Sequence, residues 1–478
     1  MKRIIKYYKI TFTLASPLAM GSGENNLTDS DIIRDSRGLP YIPGTALAGV
    51  YRRIFHRDTA KKYFGKELTK KIIDESSEKG MNLLTDSAVR VYDAHLLNPE
   101  KRVIGKRDMV ALDEYKTAIE GAKFDFEILE PGVTFVTYIE QTMEKEEQQY
   151  VSDEIAAAWL AGKITLGAKT KRGYGKTEGV KAESWIFHLG ESEELERWLD
   201  FDMYSGSMPE KVFGVCKESS EKLPSCLSAL MSGTEVYRQM AEIYQTQEIR
   251  LAEESVCRIR LELEQQGGLS IRQYSTDVDE ADYKQLTRKG GASEDGQEAI
   301  EGVPVIPGTS WAGAFRAHMS RLESEFSKGN LAEIIFGTAK EKGQDSQRSR
   351  IRFSESSLRG GLWVTYTRNA IDRFTGGTVD GALYTEKTYF NGSTSLEIDC
   401  DFNSLEKKDR EEFARIMAGA ILDLHNGYLS VGGLTAVGRG LFRITKLQVG
   451  SAEISLPEER SESLYFKLVD AIAGKEAQ

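Results

Sequence analysis

Two stretches of this chain recur in the same order and at nearly the same separation. The sequence PYIPGTALAGVYR at residues 40–52 returns as PVIPGTSWAGAFR at residues 304–316, an offset of 264. The glycine-rich LGAKTKRGYG at residues 166–175 returns as VGGLTAVGRG at residues 431–440, an offset of 265. Chance would not preserve this spacing, so the chain is a tandem duplication and its fold must occur twice.

Each repeat has the same predicted order of elements. An alternating strand opens it, a Pro-Gly turn then begins a helix, and a second helix precedes a glycine-rich turn into the closing strand. Gly44 and Gly308 allow the tight entry into the first helix, where Thr45 and Thr309 are predicted caps. This order predicts an α+β protein of two tandem ferredoxin-like (RRM-like) domains with β-hairpin insertions.

The repeats set the predicted domain boundaries. Residues 1–190 form the first domain and residues 256–450 the second. Between them, residues 191–255 are acidic and helix-prone, which predicts a helical connector. Residues 451–478 form a C-terminal tail.

Composition narrows the class of protein. No apolar stretch is long enough for a membrane span, and the N-terminus alternates as a strand does rather than a signal peptide. The four cysteines lack metal-site or disulfide spacing, which favours a reducing, cytoplasmic compartment. The net charge of −11 argues against a free-standing nucleic-acid binder, although the run KTKRGYGK at residues 169–176 is locally basic.

The repeated motifs together resemble the RAMP superfamily. IPGTALAG, VRVYDAHL, ALDEYKTAIEGAKFDFE and the closing KRGYGK are similar to motifs in backbone subunits of type III CRISPR effector complexes, and two fused modules resemble the type III-D arrangement. The resemblance implies guide (CRISPR) RNA, target single-stranded RNA and other subunits of an effector complex as partners, with no membrane. It also implies that base pairing reads the target, while the protein contacts backbone and shape.

The loop before PYIPG carries the predicted catalytic residue. In the family an aspartate at this place cuts target RNA with a divalent metal, and Asp29 matches it. Such a carboxylate can take the proton of a 2′-hydroxyl or hold Mg2+, whereas an unspecialised aspartate here would be a solvated turn residue. Asp35 is expected to hold the loop by hydrogen bonds. In the second repeat the segment is longer, and Asp295 is the candidate, with a binding-only second half as the alternative.

The glycine-rich loops and the first helices are the predicted RNA contacts. Glycines free the backbone to approach phosphates and present N–H donors, although a simple turn before a strand is the other interpretation. The arginines of the first helices are equally interpretable as structural partners. The RNA-binding candidates are Thr45, Arg52, Lys169, Lys171, Arg172, Gly173, Gly175, Lys176, Thr309, Arg316, Gly438, Arg439 and Gly440.

The resemblance also implies a protruding hairpin that kinks the RNA duplex. Ile119 or Phe374 is the apolar side chain expected to wedge between bases, while ordinary hairpin packing is the alternative. Asp113 and Asp372 are expected to fix the turns. Two further functions stay open: a non-catalytic scaffold, and a guide-processing endonuclease. The latter is disfavoured because His56 and His318 lie on the first helices, where packing or a surface position is expected.

Overall fold

The computed structural model divides the chain into two compact units. One comprises Met1–Ile104, Glu127–Ala168 and Gly175–Glu253, and the other Gly105–Phe126, Lys169–Tyr174 and Glu254–Gln478. Residues 105–126 and 169–174 therefore belong to the second unit although they lie in the first repeat. The structure describes residues 3–23, 28–65, 87–112, 118–144, 150–204, 251, 255–274, 281–288, 302–326, 329–338, 347–403, 405–456 and 462–474.

The elements of the first repeat follow the predicted order. The strands are β1 (Ile4–Leu14), β2 (Val89–Val91), β3 (His95–Leu96), β4 (Ile104–Leu112), β5 (Ala118–Leu129), β6 (Thr134–Met143) and β7 (Thr177–His188). The helices are α1 (Gly44–Arg52), α2 (Arg57–Phe64), α3 (Val151–Leu160) and α4 (Ser192–Leu199). Strands β4 and β5 pair with each other as a two-stranded hairpin, the insertion that the sequence predicts.

The second repeat adds strands to the same plan. Its strands are β8 (Val256–Gln266), β9 (Arg272–Tyr274), β10 (Tyr283–Gln285), β11 (Thr287–Arg288), β12 (Val303–Ile306), β13 (Ile351–Phe353), β14 (Ser356–Ser357), β15 (Leu362–Arg368), β16 (Tyr384–Phe390), β17 (Ser393–Asp401), β18 (Leu441–Val449) and β19 (Ala452–Ile454). The helices are α5 (Gly308–Phe326), α6 (Leu331–Phe336), α7 (Lys407–His425) and α8 (Glu462–Ala473).

Both units contain the ferredoxin-like sheet. The first has the strand order β2-β6-β1-β7, and the second β13-β17-β8-β18 with β19 at the edge. All these pairs are antiparallel. In both cases the opening strand lies between the third and fourth core strands, as βαββαβ connectivity requires, so the predicted fold is confirmed.

Alternation in the opening strands sets the position of each core. In β1, Phe12 is buried and its ring stacks on Phe135 and on Trp159 of α3, with ring centroids 5.6 and 4.5 Å away. In β8, Leu261 and its alternate neighbours are buried while Arg260 on the other face is exposed. Period-two patterning therefore directs one face of each sheet onto its helices.

The other face of the first sheet carries a small second core. Tyr7, Trp185 and Phe187 are buried there, and Trp198 of α4 packs against them and donates its Nε1 hydrogen to the Tyr7 hydroxyl at 3.1 Å. Helix α4 lies at the start of the predicted connector, residues 191–255, of which residues 205–250 and 252–254 lie outside the described ranges. Among the described helices, none is long and apolar enough to cross a membrane.

Candidate nucleic-acid interface

Asp29 lies on a loop whose flanks are well held. Strand-like pairing of Gly21 with Ile32 closes the loop base, and the Ile32 N–H donates to Glu127 at 2.9 Å. Asp31 is buried and accepts from both the N–H and the hydroxyl of Thr28, at 2.8 and 2.9 Å. Asp29 itself is exposed to solvent. The loop therefore presents one carboxylate outward while its neighbour is committed inward.

Asp35 holds the loop, as expected. Its carboxylate accepts from the backbone N–H groups of Leu39 and Arg37, each at 2.9 Å, and pairs with the Arg37 guanidinium at 2.9 Å. The Leu39 hydrogen bond, and then those from Arg37, lower the pKa of Asp35 because they favour its charged form. The Asp35 carboxylate therefore stabilises the turn that leads into α1.

Catalysis by Asp295 and metal binding by Asp29 stay predictions. Asp295 lies outside the described residues, as does Asp113. Within the described ranges, no three His, Cys, Asp or Glu side chains gather closely enough to hold a metal ion.

The start of α1 is capped by a residue that is distant in the sequence. Helix α1 begins at Gly44 after Pro43, which offers no side-chain cap, and the Gly44 N–H donates to Asp93 Oδ1 at 2.6 Å. The predicted cap by Thr45 is wrong, because Thr45 lies inside the first turn and its side chain is exposed. An aspartate two residues after β2 satisfies this helix end instead.

We expect Asp93→Ala to lower the free energy of unfolding by about 1 kcal/mol, because an orphaned helix N–H loses its acceptor. Thr45→Ala is the matched control, since it trims the side chain that the sequence predicts as the cap. Urea denaturation of both variants measures the difference. Equal losses would contradict capping by Asp93.

The two helix arginines differ in their surroundings. Arg52 donates from Nη1 to the carbonyl oxygens of Phe64 and Gly65, at 2.9 and 3.0 Å, and so ties down the end of α2. Arg316 on α5 is exposed, and Thr309 is half-buried at the start of that helix. Arg52 therefore has the structural role that was the alternative to RNA contact, whereas Arg316 stays a candidate for contact with a phosphate.

The glycines of the first glycine-rich loop serve close packing. At Gly175, which has a φ of 73°, an added Cβ would lie 1.8 Å from the Leu166 carbonyl oxygen. At Gly173, which has a φ of 85°, it would lie 2.4 Å from the Glu355 nitrogen. The N–H of Gly175 donates to the Pro17 carbonyl, and that of Lys176 to the Ser16 hydroxyl. Both N–H groups thus have acceptors within the protein, so the structure does not support their donation to a phosphate, and RNA contact by this loop stays a prediction.

The cations of that loop are partly exposed to solvent. Lys169, Lys171, Arg172 and Lys176 are each half-buried rather than enclosed. Burial lowers the pKa of Lys169, Lys171 and Arg172, because a charged group loses hydration there. A bound phosphate would replace that lost hydration.

Arg439 in the second glycine-rich loop faces inward. It is 6% exposed, its Nη2 lies 3.5 Å from Glu386 Oε2, and its guanidinium lies over the rings of Tyr366 and Phe390, 5.6 and 5.1 Å from their centroids. This placement argues against the expected phosphate contact. The repeats thus use equivalent loops differently, although Leu434 and Lys169 keep the same left-handed backbone, with φ of 56° and 58°.

Gly438 and Gly440 complete the second loop. Both have positive φ, 80° and 74°, and both backbone N–H groups donate within the protein, that of Gly438 to Thr435 and that of Gly440 to Gly268. The predicted phosphate contacts by these two N–H groups are therefore not supported either.

The side chain predicted as the wedge of the second repeat is almost completely exposed to solvent. Phe374 is 96% exposed, in the segment between β15 and β16. Asp372 accepts from the N–H groups of Phe374 and Thr375, at 2.9 and 2.7 Å, so its expected role in fixing the turn is confirmed. Ile119 on β5 is also exposed, at 47%.

The two histidines that were expected in packing or surface positions both have partners within the protein. His318 is buried and pairs with Asp423 at 2.8 Å, while His56 accepts the Asp58 N–H at the start of α2. Sequence reasoning missed Phe124, whose exposed ring borders the glycine-rich loop. The aromatic spacing of Phe124 and Phe126 in KFDFE was the available signal.

Comparison with known proteins gives the family. No curated protein matches the chain. The RAMP superfamily model matches residues 11–178 and 293–443, which include both glycine-rich loops and both first helices. RAMP proteins bind CRISPR RNA within multi-subunit complexes. With the same ferredoxin-like sheet in each repeat and two matched regions covering most of its length, this chain belongs to the RAMP superfamily.

Proposed function

We propose that this chain is a guide-RNA-binding backbone subunit of a type III CRISPR ribonucleoprotein that also cleaves the paired target RNA. Family membership supports the binding of CRISPR RNA in a multi-subunit complex. The observation that carries the cleavage step is the solvent exposure of Asp29, on a loop that hydrogen bonds to Asp31 and Asp35 hold in place.

The chemistry proposed for Asp29 is proton removal from a target 2′-hydroxyl. The deprotonated oxygen attacks the adjacent phosphorus, the P–O5′ bond breaks, and the 5′ oxygen takes a proton from water. The products are a 2′,3′-cyclic phosphate and a 5′-hydroxyl. A positioned carboxylate that acts as general base contributes about 10²–10⁴-fold to such a step.

A divalent metal fits this site only if the RNA supplies some of its ligands. Asp29 would be the protein ligand among the described residues of the loop, with phosphate oxygens of the RNA and water as the others. When bound, such an ion would stabilise negative charge on the phosphate. Asp31 cannot join it without giving up Thr28, whose N–H and hydroxyl it accepts.

Target positioning is proposed to involve Phe374. A phenyl ring that is 96% exposed has its hydrophobic surface in water, a cost that insertion between unstacked bases would remove. The hydrogen bonds from the backbone N–H groups of Phe374 and Thr375 to Asp372 fix the turn that carries this ring. An exposed, anchored ring is the feature that a wedge requires.

We expect Asp29→Asn in the assembled complex to slow one target cut by about 10²–10⁴-fold, with target binding retained, because the substitution removes the base and keeps the size of the side chain. The measurement is single-turnover cleavage of labelled target RNA at fixed magnesium. Asp200→Asn, the same charge change at another exposed aspartate of the first unit, is the matched control.

Three outcomes separate the candidate functions. Loss of one cut with the others intact supports catalysis by Asp29, and a target with a single 2′-deoxynucleotide at that cut should resist the wild-type complex. Unchanged products with Asp29→Asn would instead support the scaffold alternative. Cleavage of the guide precursor by the chain would support the processing endonuclease.

A further inference from the structure

A short row of aromatic rings lies beside the glycine-rich loop in the second unit. Phe126 is buried, and its ring centroid lies 6.0 Å from that of Tyr174. Phe124, two residues earlier on β5, stacks on Phe126 at 6.1 Å with an interplanar angle of 24°, and it is 38% exposed. The row therefore ends in an accessible aromatic face.

Lys169 connects this row to the charged part of the loop. Its Nζ lies 4.8 Å from the ring centroid of Phe124 and 4.3 Å from that of Phe126. Its backbone has a φ of 58°, a left-handed conformation that costs a non-glycine residue energy and often marks functional sites.

More cations adjoin Lys169. The Arg172 N–H donates to the Lys169 carbonyl at 2.7 Å, so the two residues lie in one turn. Burial lowers the pKa of Lys169, and the charge of Arg172 lowers it further. Burial likewise lowers the pKa of Arg172, with Arg316 of α5 contributing. An added Cβ on Gly308, at the start of α5, would lie 2.4 Å from the Arg172 carbonyl oxygen, so the loop sits directly on this helix. Three cations thus gather in a chain of net charge −11.

We propose that Phe124 is a stacking platform for a nucleobase of single-stranded RNA, and that Lys169, Arg172 and Arg316 hold the adjoining phosphates. The inference rests on the proposed function and deepens it, because it names a place where the RNA is held. Exposed aromatic faces beside cations match single-stranded nucleic acid, in which base and phosphate alternate along the strand.

Two other interpretations fit the geometry less well. A ring that served only the hairpin core would be enclosed as Phe126 is, at 3% exposure, whereas Phe124 is 38% exposed. An acidic peptide from a neighbouring subunit would neutralise the cations but make no use of a flat aromatic surface. Single-stranded RNA would use both the ring, on which a base stacks, and the cations, which pair with its phosphates.

The stacking test uses the full chain and fluorescein-labelled oligoadenosine, with affinity measured by anisotropy over a range of salt concentrations. Phe124→Leu keeps an apolar cover for Phe126 and removes the aromatic face, so we expect about tenfold weaker binding with an unchanged salt slope. Phe124→Trp should restore affinity. Phe466→Leu, at a phenylalanine of α8 that is 53% exposed, is the matched control and should bind as wild type does.

The phosphate test uses Arg172→Gln in the same assay. Loss of one phosphate contact should reduce the salt slope by about 0.7, the value typical of single strands, and this signature differs from that of Phe124→Leu. An unchanged slope would overturn the assignment of Arg172.

The outcomes distinguish this inference from the proposed function. If the wild-type chain does not bind oligoadenosine above background, both fail. If it binds and Phe124→Leu has no effect, the platform is wrong while RNA binding stands. If Phe124→Leu weakens binding and Phe124→Trp does not restore it, the ring has only a structural role. Competition by polyglutamate as effective as that by RNA would assign the cations to a protein partner.

Discussion

Gly440→Ala is expected to destabilise the second unit by about 2–5 kcal/mol, the sum of a left-handed backbone penalty and a steric displacement. Gly440 has a φ of 74°, and a Cβ there would lie 1.9 Å from the Val431 carbonyl oxygen. The Val431 N–H donates to the Gly440 carbonyl at 2.9 Å, so the two backbones cannot separate without losing this bond. Urea denaturation measures the loss.

Gly438→Ala is the matched control for this prediction. Gly438 lies two residues away with a φ of 80°, yet no atom lies within 4 Å of the position that its Cβ would take. It should therefore show only the backbone penalty, about 1–2 kcal/mol. If the Gly440 and Gly438 variants unfold at the same urea concentration, the close approach of residues 431 and 440 does not limit stability.

Glu386→Ala is expected to lower the free energy of unfolding by about 3–5 kcal/mol, because it leaves the guanidinium of Arg439 buried without its counter-ion. Glu386 is 2% exposed and Arg439 is 6% exposed, so water cannot replace the lost charge. Thermal or urea unfolding of the full chain tests this. Glu453→Ala removes one partner of an exposed pair, with Lys446 at 3.3 Å, and should cost at most about 1 kcal/mol.

Replacing both charges should recover most of that loss. The pair is imperfect, since Glu386 Oε2 and Arg439 Nη1 are buried and have no hydrogen-bond partner among the described residues. Glu386→Leu combined with Arg439→Met removes both desolvated groups at similar volume, and such exchanges are often neutral or stabilising. A double variant as unstable as Glu386→Ala would show that the pair, rather than the orphaned charge, stabilises this site.

Local patterns in the sequence predicted the architecture. The offsets of the two motifs gave the duplication, and period-two alternation gave the core strands, because both are properties of neighbouring residues. Turn chemistry is equally local, and so Asp35 and Asp372 were assigned to their loops correctly, each accepting from N–H groups two to four residues further on. The RAMP family followed from the same motifs.

Only the tertiary structure decided what the motif residues touch. Asp93 rather than Thr45 caps α1, Arg439 points inward to Glu386, and Gly175 is a glycine because Leu166 approaches it. These partners are set by strand pairing between distant segments, which local propensity does not encode. The same physical reason explains Phe124: whether an aromatic side chain is core or surface depends on which segments cover it, and the fold covers Phe126 while leaving Phe124 exposed.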